Sequence, residues 1–269
     1  MTTMINSKVK NLRRIAISTC LAVTAIAYLP HSRANETPAE STSTAPGAMQ
    51  EQEIEFSEAE VLVWMTNQLQ TISSPMILHY DFKKSGAHEK GFDDVVEFVI
   101  DKVHEDGMKS ASLKFFTGER NFKVPAVERT DVNPILKVYL QGDVYEMNRL
   151  TDPEGGSRER WRYFQRRIKF ALAEAAEVED VTFEFDGQQY PGKKVVFRPY
   201  VNDPKRNLFE AFAGKQYEIT VSEDLPGYLY KIRTFVPVKD SPIPFVEEEL
   251  VLARTESEPS QATGAQLSN

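Results

Sequence analysis

Residues 217–235, YEITVSEDLPGYLYKIRTF, constrain the fold more than any other stretch of this chain. Two runs rich in β-branched and aromatic residues flank the turn signal LPG at 225–227, a pattern typical of antiparallel strands joined by a hairpin. Three further runs are also rich in β-branched and aromatic residues: DVTFEF at 180–185, KKVVFRPYV at 193–201 and FVEEELVLA at 245–253. The last third of the chain therefore predicts antiparallel strands, interrupted by one short helix at 203–214.

The first part of the chain predicts a second group of strands. The runs MILHYDFKK at 76–84, FDDVVEFVIDKV at 92–103 and KSASLKFFTG at 109–118 show partial alternation of apolar and polar residues. Glycines separate them, and the dipeptide Asp106-Gly107 is a hairpin-turn signal. We expect an antiparallel meander.

Helical signals occur before and between these strands. Ser57 and Glu60 fit a capping box, and Phe56 with Val61 fits a hydrophobic staple, so we expect a helix from 57 to 72, ended by Pro75. Its apolar stripe consists of Leu62, Met65, Leu69 and Ile72. Two further helices are predicted in the middle of the chain, one beginning at Asn133-Pro134 and one from Ser157 to about Glu177.

This order of helix, strands, helical pair and strands predicts an α+β fold with a curved antiparallel sheet that wraps a few helices. A leading helix that runs into a first strand, as in 68–84, and terminal hairpins such as 217–235 resemble the periplasmic lipoprotein-carrier (LolA-like) half-barrel superfamily. The resemblance covers 54–254, and the whole chain is also similar to uncharacterised envelope proteins of Gram-negative bacteria. It implies an unclosed sheet whose concave side binds acyl chains or lipoproteins.

The first 34 residues predict a secretory signal peptide. A basic stretch precedes the uncharged apolar run Ile15–Leu29, and Ser32-Arg33-Ala34 places small residues before a cut at Asn35. The run is shorter than the roughly 20 residues that a membrane-spanning helix needs. We expect cleavage after Ala34 and a periplasmic protein, with a tether at 35–53, one domain at 54–254 and a tail at 255–269.

Cleavage would change both the charge and the cysteine content. The sole cysteine, Cys20, lies in the apolar run without a convincing lipobox, so the exported protein would have no disulfide or thiolate site. Five of the 32 basic residues and none of the 40 acidic ones precede Asn35, which leaves 27 against 40 and a net charge of −13. This charge argues against nucleic acid as a partner.

One segment departs from the acidic composition. Residues 157–172, SRERWRYFQRRIKFAL, contain five arginines and one lysine against one glutamate. On a helix, the apolar stripe would consist of Trp161, Phe164, Ile168 and Leu172. One flank of the stripe would carry Arg158, Arg162, Arg166 and Lys169, and the other flank Arg160 and Arg167. The side opposite the stripe would carry Tyr163 and Phe170. Two interpretations remain open. The helix is sandwiched and its arginines pair with acidic residues of the same chain, or it is a recognition surface for anionic groups.

Motifs that would indicate catalysis or a cofactor are missing from the sequence. The three histidines beyond the signal peptide, His79, His88 and His104, lack metal-ligand spacing, and there is no nucleophile elbow, P-loop or dinucleotide fingerprint. We expect no metal, no cofactor and no enzymatic activity.

The sequence thus predicts a periplasmic binding or carrier protein for a lipid or other apolar ligand. Its expected lining residues are Trp64, Tyr80, Phe82, Phe98, Phe115, Trp161 and Phe164. The alternative is an envelope accessory module that contacts a protein partner, or anionic headgroups at a membrane surface, through Arg158, Arg162 and Arg166.

Overall fold

The computed structural model describes residues 55–152, 154 and 156–257. The predicted signal peptide, the tether and residues 258–269 lie outside these residues. The strands are β1 Met76–Ser85, β2 Phe92–Val103, β3 Lys109–Phe115, β4 Phe122–Lys123, β5 Val127–Thr130, β6 Glu177–Phe185, β7 Gln188–Phe197, β8 Gln216–Val221, β9 Leu229–Val236 and β10 Val246–Ser257. The α-helical segments are α1 Glu58–Glu60, α2 Pro134–Thr151 and α3 Arg158–Glu174.

All ten described strands belong to one antiparallel sheet. Its order is β4-β3-β2-β1-β10-β9-β8-β7-β6, and β5 also pairs with β3. The outermost strands of this order do not pair with one another within the described residues, so the sheet is open. Irregular pairing at His79/Tyr80 and at Thr220/Val221 bends the strands where it occurs. The predicted fold class, α+β with a curved antiparallel sheet, is confirmed.

The hairpin predicted at 217–235 forms β8 and β9, and its turn anchors other parts of the fold. Gly227 has φ +75°, and a Cβ atom there would lie 2.4 Å from Cδ2 of Leu78, so this close approach requires glycine. Asn133, which caps α2, donates from Nδ2 to the Gly227 carbonyl at 2.9 Å. The hydroxyl of Tyr228 donates to the Leu62 carbonyl at 3.1 Å. The turn therefore fixes both the N-terminal segment and the start of α2 against the sheet.

The core lies between one face of the sheet and helices α2 and α3. Strand alternation places Leu78, Tyr80 and Phe82 on the helix side of β1, and all three are buried. From the helices, the buried apolar residues include Ile135, Leu136, Leu140, Val144, Met147, Phe164, Ile168 and Leu172. All of these residues belong to one continuous cluster, so the described residues share a single core.

The N-terminal segment differs from the predicted helix at 57–72. The Ser57/Glu60 capping box is present, but regular α-helix ends at Glu60, and a π-helical turn, Val61–Met65, follows. Met65, predicted in the buried stripe, is 53% exposed. The backbone becomes extended at Thr66, whose N–H and hydroxyl both donate to the Val61 carbonyl, and the Gln68 side chain donates to the Val63 carbonyl.

The last strand continues beyond the predicted domain boundary at 254. Thr255, Glu256 and Ser257 belong to β10 and pair with Leu78, Ile77 and Met76 of β1. Their polar composition predicts a tail, and it does not reveal a strand that is paired on one side only.

Candidate functional site

An aromatic groove lies between α2 and the β1–β4 end of the sheet. Five phenylalanines line it: Phe82, Phe92, Phe115, Phe116 and Phe122. Ring centroids lie 4.7 Å apart for Phe82 and Phe116 and 4.9 Å apart for Phe115 and Phe122, so the rings form a continuous wall. The groove has a volume of about 330 Å³, which lies within the roughly 300–1,000 Å³ of small-molecule sites.

The register of the strands places most of these rings on the helix side of the sheet. Phe92 lies opposite Lys84 on β1, and Phe122 lies opposite Phe115 on β3. Phe116 directly follows Phe115 and would point to the other face in a regular strand. Its backbone instead takes φ +65°, a left-handed conformation that is strained for an aromatic residue.

A buried carboxylate holds this strained turn in place. Asp94 Oδ1 accepts hydrogen bonds from the backbone N–H of Thr117 at 2.9 Å and from its hydroxyl at 2.8 Å. The Phe116 N–H donates to the Val95 carbonyl at 3.1 Å. The turn therefore has a fixed geometry, and it brings the Phe116 ring to the groove.

Helix α2 forms the opposite wall. Val138, Tyr139, Gly142 and Glu146 line the groove at helical spacing, so they lie on one face of α2. The Tyr139 hydroxyl lies 3.2 Å from Oγ1 of Thr234, which connects this wall to β9. A Cβ atom at Gly142 would meet no atom within 4 Å, so the middle of the wall faces open space.

One end of the groove carries five charged residues, which we call the charged end: Lys84, Glu89, Glu146, Arg149 and Glu248. Lys84 Nζ lies 2.8 Å from Glu146, 3.1 Å from Glu248 and 3.6 Å from Glu89. Arg149 Nη2 contacts Glu146 at 2.8 Å and Glu89 at 3.1 Å. Every charge at this end therefore has at least one opposite partner.

This network shifts the titration of its members. Burial alone would raise the pKa of Glu146, but the hydrogen bonds from Arg149 and Lys84 outweigh burial and lower the pKa to about 2. Burial alone would lower the pKa of Lys84, whereas the carboxylates of Glu248 and Glu146 raise it above its ordinary value. Glu146 and Lys84 thus remain charged at neutral pH.

The seven predicted lining residues do not converge on one site. Phe82 and Phe115 line the aromatic groove. Tyr80 and Phe98 are fully buried, and the Tyr80 hydroxyl donates to the Leu229 carbonyl at 3.0 Å, so both belong to the core.

The other three predicted lining residues lie elsewhere. Trp64 borders a second groove, of about 480 Å³, between the N-terminal segment, α2 and α3. Trp161 is partly buried, with its ring centroid 5.8 Å from that of Tyr145. Phe164 is fully buried against Tyr200 and Phe209. None of the three contacts the aromatic groove.

Sequence analysis missed Phe92, Phe116, Phe122 and Gly142 as groove residues. Phe92 begins a predicted strand, and its pairing with Lys84 depends on a register that one sequence does not reveal. The one signal in the sequence is Gly142, a residue unfavourable in the interior of a helix, which is compatible with an opening beside α2.

The basic segment forms α3, whose predicted apolar stripe is confirmed. Phe164, Ile168 and Leu172 are buried, and Trp161 is partly buried. The sandwiched interpretation does not hold at Phe170, because its side chain is 52% exposed.

The two flanks of α3 differ in their contacts. Arg160 donates to the Thr151 side chain and to the Leu208 carbonyl, and Arg167 pairs with the buried Asp203 at 2.7 Å. On the other flank, Arg158, Arg162, Arg166 and Lys169 are exposed and have no carboxylate partner among the described residues. Contacts within the chain thus explain the cations on the Arg160/Arg167 flank and not those on the Arg158–Lys169 flank.

Within the described part of the chain, no group of three or more His, Cys, Asp or Glu side chains has an arrangement that would hold a metal ion. No helix there combines the length and the apolar character needed to cross a bilayer.

Comparison with known proteins gave matches only among solved structures. No protein-family model matches the sequence, and neither does any curated protein. The chain is similar to lipoprotein LppX of Mycobacterium tuberculosis, with 9% identity, coverage of 76% of this chain and 98% of that one, and a TM-score of 0.29.

Two more matched structures have comparable coverage. A LolA superfamily protein from Nitrosomonas europaea has 7% identity over 75% of this chain and 94% of its own, with a TM-score of 0.20. LprF from Mycobacterium bovis has 11% identity over the same shares, with a TM-score of 0.27.

Proposed function

We propose that this protein is an exported binding or carrier protein for a lipid or other apolar ligand, and that the aromatic groove is its binding site. The observation that carries this proposal is a groove lined by five phenylalanines, of which Phe122 is exposed and Phe92 and Phe116 are partly exposed, while the helix opposite offers only Gly142 at its middle. A ligand that removes apolar surface of this kind from water lowers the free energy of the system, which favours binding. The signal-peptide pattern of residues 1–34 supports export to the periplasm.

Gly142 in α2 supports a binding site beside this helix. Gly in a helix interior costs about 1 kcal/mol relative to Ala. At Gly142 no neighbouring atom would obstruct a Cβ, so close packing does not require glycine. A side chain there would project between Val138 and Glu146 and reduce the groove. Ligand binding gives a reason for keeping this space open.

The charged end supports a defined orientation of the ligand. Lys84 and Arg149 already contact the carboxylates of Glu89, Glu146 and Glu248, so no cation there lacks a partner. An anionic headgroup would have to displace one of these carboxylates. We therefore expect an amphiphile with an uncharged, hydroxyl-bearing head at the charged end and its apolar part against the phenylalanines.

The first test is to purify residues 35–269 without detergent, extract them with organic solvent and analyse the extract by mass spectrometry. This chain contains all described strand pairings and the whole core, so it retains the interactions that fold the domain. A stoichiometric lipid supports the proposal. An empty protein that also fails to bind the uncharged dye N-phenyl-1-naphthylamine would refute it.

The site is tested with two substitutions at one position. Gly142→Leu fills the groove, whereas Gly142→Ala gives a similar gain in helix propensity and leaves most of the space. We expect Gly142→Leu to weaken dye binding about tenfold or more, with Gly142→Ala close to the parent and neither variant melting at a lower temperature. Equal binding by both variants would exclude the groove. The tryptophans, Trp64 and Trp161, lie outside the groove, so dye fluorescence is the appropriate readout.

A further inference from the structure

Six cations form one exposed surface, which we call the basic face. They are Arg158, Arg162, Arg166 and Lys169 of α3 with Lys205 and Arg206 of the neighbouring segment 201–208. All six are exposed, and none has a carboxylate within salt-bridge distance among the described residues. Asp152 and Glu159 border the same depression as Arg162, Arg166 and Lys205 but form no salt bridge with these cations, so intramolecular pairing does not account for the basic face.

Specific contacts hold the two parts of the basic face together. The buried Asp203 accepts a hydrogen bond from the Tyr163 hydroxyl and pairs with Arg167, which ties segment 201–208 to α3. Arg160 donates to the Leu208 carbonyl at 3.2 Å. The cations are therefore presented on a supported surface that spans about 16 Å along α3 between 158 and 169.

Exposed apolar side chains lie among these cations. Phe170 is 52% exposed, Leu208 56% and Val201 39%. Leu208 lines one depression with Arg162, Arg166 and Lys205. Phe170 and Val201 line the next depression along α3, which Arg167 and Glu174 also border. Exposed apolar side chains beside arginine and lysine are typical of surfaces that lie on a membrane, where the apolar groups enter the headgroup region and the cations contact phosphates.

We propose that the basic face docks this protein on a bilayer that contains anionic phospholipids. Arginine guanidinium groups bind phosphate oxygens in pairs, and four of the six cations are arginines. The acidic remainder of the protein is repelled by such a bilayer, so docking has one orientation. This proposal does not depend on the aromatic groove, which α2 and β1–β4 form without any residue of the basic face.

The test is sedimentation of residues 35–269 with phosphatidylethanolamine vesicles prepared with and without phosphatidylglycerol. We expect binding only to the anionic vesicles, and loss of binding between about 50 mM and about 500 mM NaCl because surface charges are screened. Arg162→Glu with Arg166→Glu should reduce binding about tenfold or more. The charge-matched control is Lys102→Glu with Lys123→Glu, which alters exposed cations of β2 and β4 and should stay within about twofold of the parent.

Three results would overturn the proposal. One is equal binding to neutral and anionic vesicles, and another is undiminished binding by the arginine variant. The third is complete competition by soluble glycerophosphate at equal phosphate concentration, which would indicate a site for a free anion and not for a bilayer. Dye binding measured on the arginine variant separates the proposals, because loss of docking with intact dye binding leaves the groove assignment untouched.

Discussion

Lys84 Nζ lies 2.8 Å from Oε1 of Glu146, and this contact joins the central strand β1 to α2 at the charged end of the aromatic groove. Glu248 of β10 lies 3.1 Å from the same ammonium group, so one lysine connects a helix and two strands. Lys84 is only 9% exposed, and removal of its partners would leave a charge with little access to water. The network therefore couples the shape of the groove to the ionisation of Glu146.

Stability should fall in acid through Glu146. Its pKa is lowered from an ordinary value of 4.5 to about 2 in the folded protein, so the stabilisation is present above pH 4.5 and is lost as the pH falls towards 2. With the side chain 24% exposed, the full effect is on the order of 2–3 kcal/mol. Urea unfolding at about pH 6, 4 and 3 measures it.

Glu146→Gln isolates this contribution from that of other carboxylates. The difference in free energy of unfolding between the parent and this variant should shrink as the pH falls. Glu105→Gln, at an exposed turn position, serves as the control and should leave the pH profile unchanged. A pH-independent difference for Glu146→Gln would contradict the proposed coupling.

A buried ion pair between Asp143 and Lys215 should be essential to stability. Both side chains are at most 5% exposed, and the Tyr217 hydroxyl donates to Asp143 at 2.6 Å. Asp143→Asn leaves the lysine buried without a counterion, and we expect a loss of about 3–5 kcal/mol in urea unfolding. Asp143→Leu combined with Lys215→Met should lose much less, because neither charge is then buried alone. A larger loss in the double variant would show that packing, and not charge, dominates.

The strands and the two long helices were predictable because their signals are local. Each signal acts within a few residues of chain: the alternation of apolar and polar residues in the strands, the turn at 225–227, and the helix caps Asn133 and Ser157. The N-terminal helix was predicted too long because its apolar spacing continues past Met65, whereas the backbone becomes extended at Thr66, whose N–H and hydroxyl both donate to the Val61 carbonyl.

The aromatic groove was less predictable because it depends on contacts distant in sequence. Phe116 reaches the groove only through a left-handed turn that Asp94 stabilises from another strand. Phe122 lies on a two-residue strand whose position follows from pairing with Phe115. Aromatic residues that fill the core, such as Phe164, have the same sequence pattern as those that border open space, so composition does not distinguish them.

Substitution of one core and one groove phenylalanine should separate these two roles. Phe164 is fully buried, and Phe164→Ala should cost about 3–5 kcal/mol through cavity formation. Phe122 is 42% exposed, so Phe122→Ala should cost less than about 1 kcal/mol and should still weaken dye binding. Urea unfolding and dye titration on both variants provide the comparison. A large loss of stability in Phe122→Ala would reassign that ring to the core.

The C-terminal end of β10 should contribute to stability, although its composition is that of a tail. Thr255, Glu256 and Ser257 pair with β1, and Glu256 contacts His79 at 3.2 Å. Truncation after Arg254 removes these contacts and should cost about 1–2 kcal/mol, with faster amide exchange at Ile77. The matched control is truncation after Ser257, which keeps every described strand pairing and should unfold like the parent. Identical stability of the two truncated chains would mean that residues 255–257 add nothing to the sheet, and that 54–254 is the functional extent of the domain.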